Sequence, residues 1–428
     1  MPRLPAAEAG LNASTAPATP TASSPHRPPT WLPIAAAWTL YLPVGLQYTA
    51  YLGLALASIA ALSRAGRLAQ LRQPLFLALL AFWCWLAASA AWTEAPAPAV
   101  VRQLWVYALP LALVPIALAC AAGDASRALR HFVAASTLVA AVIAVAATGW
   151  LGTWGSLLPP LQVRGNQRIA MSLLLALGAG FAVLFAIDAA SPRARTAWAA
   201  CALVCMAGLA LQDRRSGMLV LPLLLVLLAL AKARTWPGRA GTVGVVALAT
   251  AVAWVPLDGV QQRFAEGFTE LREYRAADDV ATSWGMRVRM AEVTLQMVRE
   301  RPVAGFGVGA WLPEWRQRVS GGLLERQTTP HNEYLLVAAQ SGAVGLALLV
   351  AAIAVALRVL WRCGARAVAA QMVLATLVVA GLFHVVLRDA KFALPLLVLG
   401  ALTGAVAVRG GAWRGARAPR QDTSPRPQ

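Results

Sequence analysis

Residues 334–357 read YLLVAAQSGAVGLALLVAAIAVAL, without one charged side chain. At about 1.5 Å per residue, a helix of that length crosses the roughly 30 Å hydrocarbon core of a bilayer. No water satisfies backbone groups there, so a run that enters must close its hydrogen bonds internally, as a helix does. Similar apolar runs fall at 31–47, 49–63, 75–92, 105–123, 131–152, 169–189, 197–211, 216–231, 242–257, 368–387 and 392–408. With 334–357 they predict about twelve spans. The stretch 31–63 reads either as one long tilted helix or as a hairpin through Pro43 and Gly45.

Composition agrees. The 428 residues are 59% hydrophobic and only 13% charged, whereas soluble domains carry about 25% charged residues. A soluble fold could not hide so many apolar runs. The sequence therefore predicts an all-α polytopic membrane protein of about 12 transmembrane helices with one large periplasmic loop. Its net charge of +19 comes from Arg far more than Lys. Nucleic-acid binding is the usual reading of such a balance, but no soluble domain is present to bind it. Arg in alternate loops, by the positive-inside tendency, explains the charge more simply. These loops hold Arg64, Arg67 and Arg72; Arg127 and Arg130; Arg193 and Arg195; Lys232, Arg234 and Arg239; and Arg358, Arg362 and Arg366.

The resulting organisation is a disordered cytoplasmic tail over 1–30, about nine spans over 31–257, a periplasmic loop over 258–333, three spans over 334–408 and a basic cytoplasmic tail over 409–428. No cleavable signal peptide is read at the start. Within the loop, Val288, Ala291, Leu295 and Val298 recur at helical spacing before Pro302, which predicts an amphipathic helix lying over the membrane face of the bundle. Cys84, Cys120, Cys201, Cys205 and Cys363 form no CxxC and read as packing residues.

Polar residues at the loop edges carry the candidate chemistry. His331 lies where the long loop re-enters the membrane, at a helix N-terminus that disfavours imidazolium. Held neutral, it can serve as a general base; the plainer alternative is an interfacial His that bonds a loop. Arg214 and Arg215 sit in a tight periplasmic link, against the positive-inside tendency. A diphosphate would offset them, because guanidinium binds phosphate oxygens bidentately. Arg287 and Arg289, two residues apart, point to different faces of the loop helix, so both do not serve one site. Arg164, Asn166, Gln167 and Arg168 form another polar rim, and Arg388, Asp389 and Lys391 a third. Each can touch glycan or phosphate and reads equally as an interfacial anchor. Asn332 and Tyr334, flanking His331, join Arg164, Asn166 and Arg388 as candidate substrate contacts. Gly305, Gly307 and Gly309 follow no strand and read as a flexible turn, not as a nucleotide loop. No metal-ligand cluster and no cofactor motif is read.

These residues also carry a resemblance. Pro330-His331-Asn332-Glu333-Tyr334-Leu335, followed by Gly342-Ala343-Val344-Gly345-Leu346, resembles the H-N-x-x-L signature and following G-x-x-G span of the O-antigen ligase/polymerase superfamily. Arg301-Pro302-Val303-Ala304-Gly305-Phe306-Gly307-Val308-Gly309 is similar to the family's HPLLGVGPGN stretch, with Arg for its His and no closing Asn. Arg215-Ser216-Gly217 resembles the family's Ser-Arg-Ser-Gly link. The likeness spans about residues 160–400.

It implies a GT-C-like membrane glycosyltransferase of the bacterial inner membrane, acting at the periplasmic face without a metal ion. The implied donor is a glycan on undecaprenyl diphosphate, and the acceptor is lipid A–core or another glycan. By motif, His331 would be the base and Arg215 and Arg287 the diphosphate ligands, with Arg214 and Arg289 as neighbouring competitors. Ligase ranks before polymerase. A protein O-oligosaccharyltransferase usually has an added C-terminal domain, whereas here a short tail follows the last run. A transporter or flippase would place charges at mid-membrane and show two related halves, and the runs read here are almost free of charge at their centres.

Overall fold

The computed structural model describes residues 27–152, 161, 163, 165–212, 214–232, 235, 269, 272, 282–319 and 322–408. The run at 242–257, the tails 1–26 and 409–428, and Arg164 lie outside the described residues, as does most of the loop between 258 and 281. Every regular element among the described residues is helical. In chain order the main ones are α1 (Trp31–Thr39), α2 (Val44–Arg64), α3 (Pro74–Ala88), α4 (Ala97–Ala108), α5 (Leu113–Ala119), α6 (Ala122–Ala147), α7 (Asn166–Ile187), α8 (Pro192–Leu211), α9 (Arg215–Lys232), α10 (Ser283–Glu300), α11 (Trp311–Arg318), α12 (Glu333–Arg362), α13 (Val368–Gly381) and α14 (Ala390–Val408). Helices α4 and α5 run on through a 3-10 turn at Leu109–Ala112.

Nine helices among the described residues are long and apolar enough to cross a membrane, with α9 a shorter apolar helix. The expected twelve spans are thus not reproduced one for one. The first expected span is a correction: α1 has nine residues, only about half a bilayer core at 1.5 Å each. The chain turns at Leu40–Pro43 before α2, because Pro43 is extended and has no N–H to continue the helix. Residues 31–63 are therefore not one long helix: the chain turns back at Pro43, α1 packs on α2, and of the two only α2 is long enough to span.

Helices α7 and α14 form the centre. Ala170 to Ala182 of α7 are buried without a break, and α7 packs on α6, α8, α9, α13 and α14. Helix α14 packs on α2, α5, α6 and α13. Leu56, Val101, Leu138 and Leu203 are exposed on helices whose length and hydropathy suit a lipid surround.

Helix α10 packs against α12. Its buried face is Met290, Val293, Thr294 and Met297, set against Trp311 and Trp315 of α11. The expected stripe of Val288, Ala291, Leu295 and Val298 is off by about half a turn, and Leu295 is 41% exposed. The flexible Met side chains fill the gaps beside the stacked tryptophans.

One break in α12 governs how this layer attaches. Gly342 has φ 65° and ψ −167°, a conformation essentially reserved for glycine. The loop after α10 fits into the break. Phe306 and Gly307 donate to the carbonyls of Ala339 and Gln340 at 3.0 and 2.7 Å, and Ala343 donates to Pro302 O at 2.8 Å. Trp85 Nε1 donates to Ser341 O at 2.9 Å. The backbone groups freed inside an apolar helix are thus met by protein, as a membrane interior requires. A Cβ on Gly305 would lie 2.5 Å from the Gln340 carbonyl carbon. The glycine run read as a flexible turn is instead a buried wedge: Gly305, Gly307 and Gly309 are all buried.

Candidate active site around His331

His331 precedes the first turn of α12 with φ 52°, the one non-glycine residue at positive φ among the described residues. Such a backbone costs a non-glycine residue about 1 kcal/mol or more. The residues after it hold it there. Asn332 caps α12 by accepting from Leu335 N at 2.9 Å, and its Nδ2 donates to Leu382 O at 3.1 Å. Buried Glu333 accepts from Leu387 N at 2.8 Å and from the Tyr107 hydroxyl at 2.6 Å. The Tyr334 hydroxyl donates to Val378 O at 2.8 Å. Asn332 and Glu333 therefore bind the segment between α13 and α14, and Tyr334 binds the last turn of α13. This places Asn332 and Tyr334 as holders of that corner, with polar atoms engaged by protein.

The apolar run expected over 368–387 is not helical to its end: α13 stops at Gly381 and the chain turns through 382–389. Val385, Val386 and Leu387 are buried without being helical. Local hydropathy cannot separate that case from a helix. The turn presents His384, which sequence reasoning did not select. Its signal was available: it is one of four His in the chain and it interrupts an apolar run.

The two imidazoles meet edge to face, with centroids 6.5 Å apart. His384 is 2% exposed and stacks on Phe392 at 5.3 Å. Its Nε2 lies 2.8 Å from the Ser216 hydroxyl, in the first turn of α9. The Arg214–Ser216 link is thereby joined to the same cluster. Arg214 is half-buried; the side chain of Arg215 lies outside the described residues.

Burial, and then the positive charge of Arg287, push the His331 pKa down to about 4. The same two causes, with His331 third, push His384 down to about 3. Both rings are neutral at pH 7. The charge of Arg287 reaches both rings, whereas Arg289 pairs with Glu292 at 3.5 Å on the outer face of α10. Two rims read separately from sequence also meet: Asn166 Nδ2 donates to Asp389 Oδ2 at 2.8 Å. Arg388 stands beside them, its pKa lowered chiefly by burial.

A neutral imidazole beside a guanidinium can take a proton from a hydroxyl while the cation receives an anionic leaving group. Comparison with known families leads the same way. Residues 199–350, which contain Arg214, Arg215, Ser216, Arg287, His331 and Gly342, match the O-antigen ligase family. The match is shorter than the likeness read over 160–400, and it leaves out Asn166, His384 and Arg388. No curated protein matches the chain. That 199–350 match, set on a multi-helix apolar bundle, supports the O-antigen ligase/polymerase superfamily.

Proposed function

We propose that the protein is a membrane glycosyltransferase of the O-antigen ligase type. It transfers a glycan from undecaprenyl diphosphate to a hydroxyl of lipid A–core, at the periplasmic face of the bacterial inner membrane. The observation that carries this reading is His331: a neutral imidazole, held at a strained backbone position, facing Arg287 within a family-matched segment.

In this reading the acceptor oxygen attacks the anomeric carbon on the face opposite the phosphate oxygen. The new C–O bond forms as the old one breaks, and configuration inverts. The acceptor proton goes to His331, and the bonding electrons leave with the diphosphate. Arg287 and the Arg214–Arg215 link bind that diphosphate, with Asn166, Arg388 and Asp389 at the glycan rim. A bound diphosphate also offsets the charge of Arg287, which makes His331 a stronger base once donor is present. No divalent ion enters the scheme, because guanidinium groups supply the charge.

The test is transfer by purified protein from lipid-linked donor in EDTA. Wild type is expected to remain active. His331→Ala should lose at least about 1000-fold in rate, within the span that base and alignment together provide, while eluting as a folded protein. Full activity in that variant overturns the base role. A deletion strain then separates acceptors: loss of all O-chain with lipid-linked polymer accumulating indicates ligase, and a core bearing one repeat unit indicates polymerase.

A further inference from the structure

His384 lies outside the family-matched segment and has no part in the scheme above. Two observations set it apart from a packing residue. First, it joins elements remote in sequence: its Nε2 meets Ser216, 168 positions away, and its ring meets His331 edge-on. Second, its Nδ1 is buried and makes no hydrogen bond among the described residues. A buried polar atom without a partner costs about 1–3 kcal/mol. A ring needed only to stack on Phe392 would be cheaper as phenylalanine. The surroundings are also built to hold it, since Asn332 fixes Leu382 and Glu333 fixes Leu387 on either side.

We infer that His384 is a positioning residue of the transfer site: bonded to Ser216 and packed on His331, it holds the Arg214–Ser216 link and the base in one register. The inference rests on the transferase reading. Its chemistry is geometric. Base and leaving-group cations must act on opposite sides of one carbon, and a misplacement of about 1 Å can lower the rate about 100-fold. Ser216 stands immediately after the two arginines, so its hydrogen bond transmits the position of His384 to them.

The test uses full-length protein in detergent or bilayer with lipid-linked donor, and three variants. His384→Phe keeps the ring stacked on Phe392 and removes the Ser216 bond. Ser216→Ala removes the bond and keeps the imidazole. His384→Gln restores an amide partner for Ser216. The expected result is a kcat lowered about 10- to 100-fold in the first two variants, with KM for donor nearly unchanged. The double variant should lose no more than the worse single variant, because both remove one interaction. His384→Gln should recover part of the loss. Wild-type kcat in Ser216→Ala, or losses that multiply in the double variant, overturns the inference. Where His384→Phe fails to elute as a folded protein, Ser216→Ala decides alone. His331→Ala is run alongside: if it stays active, the base reading fails, whereas an inactive His331→Ala beside an unaffected Ser216→Ala removes only the role of His384.

Discussion

The two irregular backbone positions at and within α12 make an instructive pair. At Gly342 the helix breaks, yet the freed groups of Ala339, Gln340 and Ala343 are met by the loop after α10. At His331 the backbone is also left-handed, but the side chain it carries faces another imidazole and a guanidinium. The first irregularity closes on itself, and its glycine contributes an absence of bulk and a backbone that other residues rarely adopt. The second leaves reactive atoms available, held by neighbours whose own polar atoms are engaged. Strain with every group met is architecture; strain that presents unused chemistry marks a site.

The largest expected effect comes from filling the break. A Cβ on Gly342 would lie 2.1 Å from Val303 O, and the residue would keep a positive φ. Gly342→Ala should destabilise by about 3 kcal/mol or more, read as a lower unfolding midpoint, whereas His331→Ala should leave that midpoint nearly unchanged. Equal midpoints for both variants would dissolve the contrast.

A smaller effect separates the two arginines of α10. Arg287→Ala should lower kcat/KM about 10- to 100-fold, the range for a lost charge-assisted contact, and Arg287→Lys should lower it less. Arg289→Ala, which removes only a half-exposed pair with Glu292, should change it by less than about threefold. Reversed magnitudes would mean that the loop helix turns its other face to the substrate.

The smallest effect is in pH. A base with an ordinary imidazole pKa would lose activity below about 6.5. With His331 pushed down to about 4, the neutral form persists to lower pH, and kcat/KM should fall only as pH drops through about 4. The limb for kcat, which reports the donor-bound enzyme, should sit higher because the diphosphate offsets Arg287. A kcat/KM limb near 6.5 would place His331 outside the buried cluster.

The helical bundle was legible because hydropathy is a local property: 334–357 and 169–189 announce helices without reference to anything else in the chain. Local hydropathy failed where apolar residues are buried by neighbours rather than by helix formation, as in the turn after Thr39 and at Val385–Leu387. The same limit explains the glycine wedge, since the residues that Gly305 must clear stand more than thirty positions later, in Gln340 and Ser341.

His331 was readable as chemistry where the loop re-enters the membrane, Arg214 and Arg215 as charge against the positive-inside tendency, and Arg287 only through the family resemblance. Residue type and local pattern alone thus determined that this is a membrane bundle with an imidazole and guanidinium groups at the ends of its apolar runs. Only the tertiary structure decided that the charge of Arg287 reaches His331, that Arg289 pairs instead with Glu292, and that His384 joins the cluster through Ser216. Contacts across 168 positions are set by which helices pack together, and no stretch of sequence contains that information by itself.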